Sequence, residues 1–198
     1  MPAPPPVLCL ASASPRRRAL LAQIGVAHLA RGANLDETPQ PKEAPRDYVA
    51  RVAAEKACAI RRVDTALPVL GADTTVVVDG EMFGKPQGRA QGLAMLARLS
   101  GRVHEVFSAV ALADARGVAV AMSVSAVRFR TLSDEECRLY WESGEPQDKA
   151  GAYAIQGLAA AFIESLHGSY SGVMGLPLFE TAALLRAAGV PYGRPLPP

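Results

Sequence analysis

The sequence predicts a mixed α/β fold, a β-sheet covered by helices, and three observations carry that prediction. Short apolar runs alternate with helical patterns in the first half of the chain, as in β-α-β units. Two β-rich segments joined by the tight Ala115-Arg116-Gly117 connection follow, which points to antiparallel pairing. Cap and stop residues at several helix ends frame the elements between them.

Taken in order, "VLCLAS" (7 to 12) reads as a short buried strand. Ser14 is placed to cap a helix with Pro15 at its first position, Gly25 stops it, and Leu20, Leu21 and Ile24 form its apolar stripe. A loop containing "ANLDETPQPKEAP" leads to a long helix from about Arg46 to Arg62, with Val49, Val52, Ala53, Ala57 and Ile60 on its core face. "VLGADTTVVVDG" (69 to 80) is a strand ending in Asp79-Gly80, a hairpin-turn signal. "QGLAMLARLSG" (91 to 101) has the period of an amphipathic helix, and β-rich segments cover 105 to 113 and 118 to 131. In "SDEECRLYWESG" (133 to 144), Ser133 caps, Glu136 closes the box and Gly144 ends the helix. A polar loop, "GEPQDKAGAYAIQG", precedes a strand "AAFIESL", then "GSYSGVMGLPL" and a last helix near 178 to 188.

The 198 residues suit one domain, with a core at about 7 to 189 between a proline-rich start and a "PYGRPLPP" end. A formal charge of +2 is too small to make the whole surface a nucleic-acid or membrane binder, so any anion binding is local. Cys9, Cys58 and Cys137 have no metal-ligand spacing and read as small apolar packers in a reducing compartment. "MPAPPPVLCLASA" lacks the basic region of a secretion signal, and its apolar run of about five residues is below the usual ~7–15. No apolar run is long enough to span a bilayer, and the expectation is a soluble, cytoplasmic protein.

Five features carry chemistry. Arg16, Arg17 and Arg18 stand at a helix start, where the macrodipole is already positive, at a cost of about 0.3–1 kcal/mol each if exposed and unpaired. A bound phosphate reverses that sign by meeting free backbone N–H groups and guanidinium forks, with Ser12 and Ser14 adding hydroxyls. The plainer reading has the arginines pointing into water. Lys56 falls on the core-facing stripe of the long helix, so it either snorkels to the edge or serves a cleft lined for phosphate, while Arg51 and Glu55 form a solvent pair four apart. Asp73 is a carboxylate inside an apolar strand, costly unless a cation or hydrogen bonds hold it. Gly71 leaves room above the strand, and Thr74 and Thr75 offer hydroxyls; the alternative is a wet edge position. Glu37 in "NLDETP" could complete an all-oxygen site for Mg²⁺ or Mn²⁺ with phosphate oxygens. Lys85 in "FGKP" adds a cation or is a plain surface lysine. There is no P-loop, nucleophile elbow, zincin motif or GxGxxG, and His28, His104 and His167 have no second ligand nearby in sequence.

"LASASPRR", "LDET", "YVARVAAEKA", "LGADTTVVVDG", "GKP", "LSGRVHEVFSAVAL", "GEPQDKAGAYAIQG" and "GSYSGVMGLPL" occur in the order seen in Maf proteins, which the chain resembles over about 7 to 189. The resemblance implies an elongated α/β fold of the Maf/inosine triphosphatase kind, with two lobes around a cleft, and commonly a homodimer. It implies hydrolysis of a nucleoside triphosphate to the monophosphate and pyrophosphate with a divalent cation (Mg²⁺ or Mn²⁺, with Co²⁺ a further option). "DKAGAYAIQG" resembles the subgroup acting on dTTP and UTP, including modified pyrimidine nucleotides as candidates. Carried over by position, the proton acceptor falls on Asp73, nucleotide choice on Arg16, Thr74 and Gln156, and the remaining polar cleft residues on Ser12, Arg17, Glu37, Lys56 and Lys85. The metal pair, Glu37 with Asp73, is the reading of the acids themselves. Ala154 stands where glycine is common, which matters only if its φ is positive. The family's historical link to septum formation leaves a second function open, a nucleotide-binding regulator of division without turnover. RNA binding through "SPRRR" is a weaker third.

Overall fold

The computed structural model describes residues 4–63 and 66–193, so the outer parts of both tails lie outside the described residues. The strands are β1 (Leu8–Leu10), β2 (His28–Ala30), β3 (Val69–Val78), β4 (Glu81–Phe83), β5 (Val103–Asp114), β6 (Gly117–Phe129) and β7 (Ile163–His167). The helices are α1 (Pro15–Gln23), α2 (Pro45–Val63), α3 (Arg89–Leu99), α4 (Asp134–Glu142), α5 (Tyr170–Val173) and α6 (Leu178–Ala187). The strands form one mixed sheet in the order β2-β1-β3-β5-β6-β7, with β4 paired to β3. The chain divides into two compact units, one made of residues through Asp73, Ser108–Ser123 and Gly175 onward, the other of Thr74–Phe107 and Val124–Met174.

In the first unit β1 pairs in parallel with both β2 and β3, the arrangement expected when helices connect successive strands. Helix α1 starts as its sequence dictates, with Pro15 in the first turn and the Ser14 hydroxyl accepting from Arg17 N, though at a long 3.5 Å. Helix α2 lies directly on β3. A Cβ on Gly71 would stand 2.1 Å from the Ala53 carbonyl oxygen and 2.8 Å from Ala57 N. The glycine therefore does not leave open room above the strand, as its sequence context suggested; helix backbone fills that space. Side chains alternate along a strand, so Asp73 shares the α2-facing side with Gly71. Lys56, between Ala53 and Ala57, faces it from the helix.

In the second unit β3 turns into β4 through Asp79 and Gly80, with φ of 54° and 76°, the two positive values that a type I′ hairpin requires. Helix α3 packs on α4 so closely that a Cβ at Gly92 would fall 2.0 Å from the Trp141 ring. Ser133 and Glu136 form the capping box read from the sequence, and Gly144 is left-handed at φ 79°. The core gathers Val76, Leu96, Leu99, Val127, Phe129 and Phe162, among others. Buried within it, His104 stacks edge-on to Phe129 and Tyr153, with Nε2 2.8 Å from the Tyr153 hydroxyl. Burial lowers the His104 pKa from 6.5 to about 4, so the ring is neutral.

The structure departs from expectation at small elements. Ala160, Ala161 and Phe162 belong to a 3-10 turn (Leu158–Phe162), and β7 begins only at Ile163. A run of alanines cannot show strand alternation. The loop after α4 contains two further 3-10 turns, Glu145–Asp148 and Ala150–Ala152. Strand β2 and helix α5 were not predicted, being three and four residues long, while β4 is the return strand of the hairpin that Asp79-Gly80 signals.

Candidate active site

The residues around Asp73 in the first unit build upward from one buried ion pair. Lys56 and Asp73 are 7 % and 5 % exposed, and Lys56 Nζ donates to Asp73 Oδ1 at 2.8 Å. The same ammonium lies 2.8 Å from Glu37 Oε2, so one cation bridges two carboxylates. Glu37 reaches in from its loop with its side chain 43 % exposed. Asp73 is thus not at a wet edge, and Lys56 does not snorkel to solvent. Asp73 Oδ2 is buried and accepts no hydrogen bond among the described residues, so the neighbouring threonine hydroxyls do not satisfy it. Burial pushes the Asp73 carboxyl above its ordinary 3.8, Lys56 and Arg17 pull it back, and Glu37 adds to the rise.

Arg17 answers the question of the helix-start arginines. Its guanidinium donates from Nη1 to Ser12 Oγ in the strand-to-helix connection at 3.3 Å, and from Nε to Gly175 O, in the segment between α5 and α6, at 2.8 Å. Ser12, itself buried, also accepts from Ser14 N at 3.2 Å. Burial lowers the Arg17 pKa from 12.5, Asp73 and Glu37 raise it and Arg16 lowers it. The cation at the helix start therefore sits in the field of the two acids. Arg16 is half-buried beside it, whereas Arg18 is exposed, as the plainer reading had it.

Two features here were not read from the sequence. Arg51 keeps its expected pair with Glu55 at 3.0 Å, but it also grips Glu43 with Nε at 2.6 Å and Nη2 at 2.8 Å, and reaches Thr38 O at 3.3 Å. That fork ties the loop following Glu37 to α2 and, through its hydrogen bond, holds the Glu43 carboxyl down at about 2. Tyr48 is the second. Its phenol is pushed up to about 12, first by burial and then by the charges of Asp73 and Glu37. A loop acid eight residues before its arginine has no helical spacing to betray it.

Thr74, Lys85 and Gln156 belong to the second unit. Thr74 is half-buried and, one step along β3, points to the opposite side from Asp73. Lys85 is exposed next to Gly84, whose carbonyl accepts from Gly151 N at 3.1 Å. Gln156 is exposed in a turn, and Ala154, whose φ is not positive, does not need to be glycine. Within this loop Gly151 and Ala152, like Gly144 at its start, are left-handed, at φ 69° and 58°.

The donor set around Asp73 suits a hard cation. Two carboxylates, one with an unused buried oxygen, leave most of a coordination shell to water and phosphate oxygens. Among the described residues no three His, Cys, Asp or Glu side chains gather to hold a metal ion. No helix among the described residues is long and apolar enough to cross a membrane. Cys9, Cys58 and Cys137 are unbridged, and Cys58 is only half-buried.

Comparison with known proteins adds independent findings. The Maf-like protein family matches residues 7–188. A protein of Hahella chejuensis named dTTP/UTP pyrophosphatase is 52 % identical, the match covering 92 % of each chain. Proteins of the same name from Methylococcus capsulatus and Bordetella parapertussis are 54 % and 53 % identical, with 94 % and 95 % of this chain covered and 93 % and 95 % of theirs.

Proposed function

The chain belongs to the Maf-like protein family, and from that membership we propose that it hydrolyses dTTP and UTP to the nucleoside monophosphate and pyrophosphate. The observation that carries this reading is identity above half, over nearly the full length, to relatives named for that activity. The Asp73 cluster supports it by offering what the reaction needs.

In this reading Arg16, Arg17, Lys56 and Lys85 neutralise the triphosphate, and the Ser12 hydroxyl adds a hydrogen bond. Glu37 and Asp73 would hold a divalent cation, Mg²⁺, Mn²⁺ or Co²⁺, which when bound screens phosphate charge and acidifies water. Asp73 Oδ2, the unused acceptor, either takes the proton of the water that attacks the α-phosphorus or would position the cation that acidifies that water, and pyrophosphate leaves with its charge met by the basic side chains. Gln156 reads the base: its amide N–H donates to O4 of uracil or thymine and its oxygen accepts from N3–H. Arg16 and Thr74 share in nucleotide choice. Modified pyrimidine nucleotides are candidate substrates of the same pocket chemistry. The single-domain organisation, a homodimeric state and a cytoplasmic location belong to this reading, and the charge of only +2 supports a small-molecule substrate over nucleic acid.

The test is a panel of dTTP, UTP, CTP, ATP and GTP in ¹⁸O-water with each metal, followed by ³¹P NMR and mass spectrometry. Pyrophosphate with the label in UMP or dTMP is expected. Label in pyrophosphate, orthophosphate as first product, or tight binding without product would overturn the proposal.

A further inference from the structure

Gln156 stands at the tip of a β-turn whose shape is set by other residues. Gly157 N donates to Ala154 O at 3.0 Å, which puts Ile155 and Gln156 at the two central positions. Ile155 is buried and Gln156 exposed, so the turn presents one side chain outward. Both ends of this turn are held by one phenol–carboxylate pair. On the near side, Ala154 N donates to the Tyr140 hydroxyl at 3.1 Å. That hydroxyl donates to Glu145 Oε1 at 2.7 Å. On the far side, Glu145 Oε2 accepts from Leu158 N at 2.9 Å, and Oε1 lies 3.4 Å from Ala159 N.

The fit around the carboxylate is close. A Cβ on Gly157 would stand 2.1 Å from Glu145 Oε2 and 2.4 Å from its carboxyl carbon. Gly157 has an ordinary negative φ of −112°, so the turn needs glycine there for space and not for backbone freedom. Tyr140 is 4 % exposed, and burial followed by the bond to Glu145 raises its pKa above 10, which keeps the phenol a donor.

We propose that Glu145, acting with Tyr140, is the positioning residue of the base-reading turn, and sets pyrimidine selectivity without touching the nucleotide. This rests on the reading of Gln156 given above. Telling O4 and N3–H of uracil from N4–H₂ and N3 of cytosine needs an amide whose donor and acceptor are fixed in place. A displacement of about 1 Å is enough to lose on the order of 10²-fold. A charge-assisted bond to Leu158 N, two residues past Gln156, and the relay to Ala154 N, two before it, fix that placement from both sides.

The experiment measures kcat and KM for UTP and CTP, with thermal unfolding, in Gln156→Ala, Glu145→Gln, Glu145→Ala, Tyr140→Phe and Gly157→Ala, and in Glu145→Ala/Gly157→Ala. Glu145→Ala is expected to lower the UTP-to-CTP ratio of kcat/KM at least tenfold, mainly through the KM for UTP. Gly157→Ala should do the same by displacing the carboxylate, and the double variant should be no worse than the poorer single one. Glu145→Gln, which keeps one acceptor oxygen, should fall between. If Glu145→Ala does not fold, Tyr140→Phe and Gly157→Ala carry the same comparison. Gln156→Ala losing selectivity while folded Glu145→Ala or Tyr140→Phe keeps the wild-type ratio would overturn the positioning role and leave the base reader standing. An unchanged ratio in Gln156→Ala would remove the base reader and this role together.

Discussion

Replacing Lys56 by methionine keeps most of the side-chain volume and removes the ammonium from a buried site. The bond to Asp73 Oδ1 is 2.8 Å long. At an effective dielectric of about 20 its Coulomb attraction is roughly 6 kcal/mol before desolvation is charged against it. What remains after substitution is a carboxylate 5 % exposed, with Oδ2 already lacking a partner. Stranding one member of a buried pair costs about 3–5 kcal/mol. The second contact of Lys56 is worth far less, because the Glu37 side chain is 43 % exposed and such a pair contributes about 0–1 kcal/mol. Urea denaturation of Lys56→Met should therefore show a loss of about 3–5 kcal/mol, against less than about 1 kcal/mol for Glu37→Gln. Lys56→Met/Asp73→Asn, with no stranded charge, should recover at least about 2 kcal/mol of that loss. Equal costs for Lys56→Met and Glu37→Gln, or strict additivity in the double variant, would refute the picture of one buried pair with an exposed acid added to it.

Other outcomes follow from the same structure. His104 binds its proton near pH 6.5 when unfolded and only near about 4 when folded. The unfolded chain holds more protons between those values, so the stability from the neutral buried ring is complete above 6.5 and lost as pH falls, by about 3 kcal/mol in all. Urea denaturation at pH 7.5 and 4.5 should show a steeper fall for wild type than for His104→Gln; parallel curves would contradict this. Gly71→Ala sets a methyl 2.1 Å from the Ala53 carbonyl oxygen, and helix α2 must move off β3. A destabilisation of at least about 2 kcal/mol is expected, and a midpoint within error of wild type would show the contact is not as tight as described.

The sequence carried much of the fold because the large elements announce themselves locally. Ser133 and Glu136 close their box, Asp79-Gly80 makes its hairpin turn, and the stripe of α2 faces inward, all as read. Strand β2 escaped notice because three residues cannot display a period, and it exists through pairing with β1. Ala160 to Phe162 resembled a strand because nothing local marks a 3-10 turn held by the carboxylate of Glu145. Within the candidate site, Lys56 and Asp73 stood out as charges in apolar patterns, and the structure joins them directly. Arg17 stood out for being at the wrong end of a helix, and its guanidinium lies in the field of Asp73 and Glu37. The fork of Arg51 on Glu43 and the clamp of Tyr140 and Glu145 were illegible, because each joins residues through a loop path that no periodicity encodes.

The buried carboxylate of Asp73, if it serves hydrolysis at the α-phosphorus, must be indispensable to turnover. Pyrophosphate release from UTP should be followed for Asp73→Asn beside wild type at saturating metal, with circular dichroism confirming the native fold. A folded variant is expected to lose about 10²–10⁴-fold in turnover. Turnover within a few-fold of wild type in that same folded variant would contradict that role.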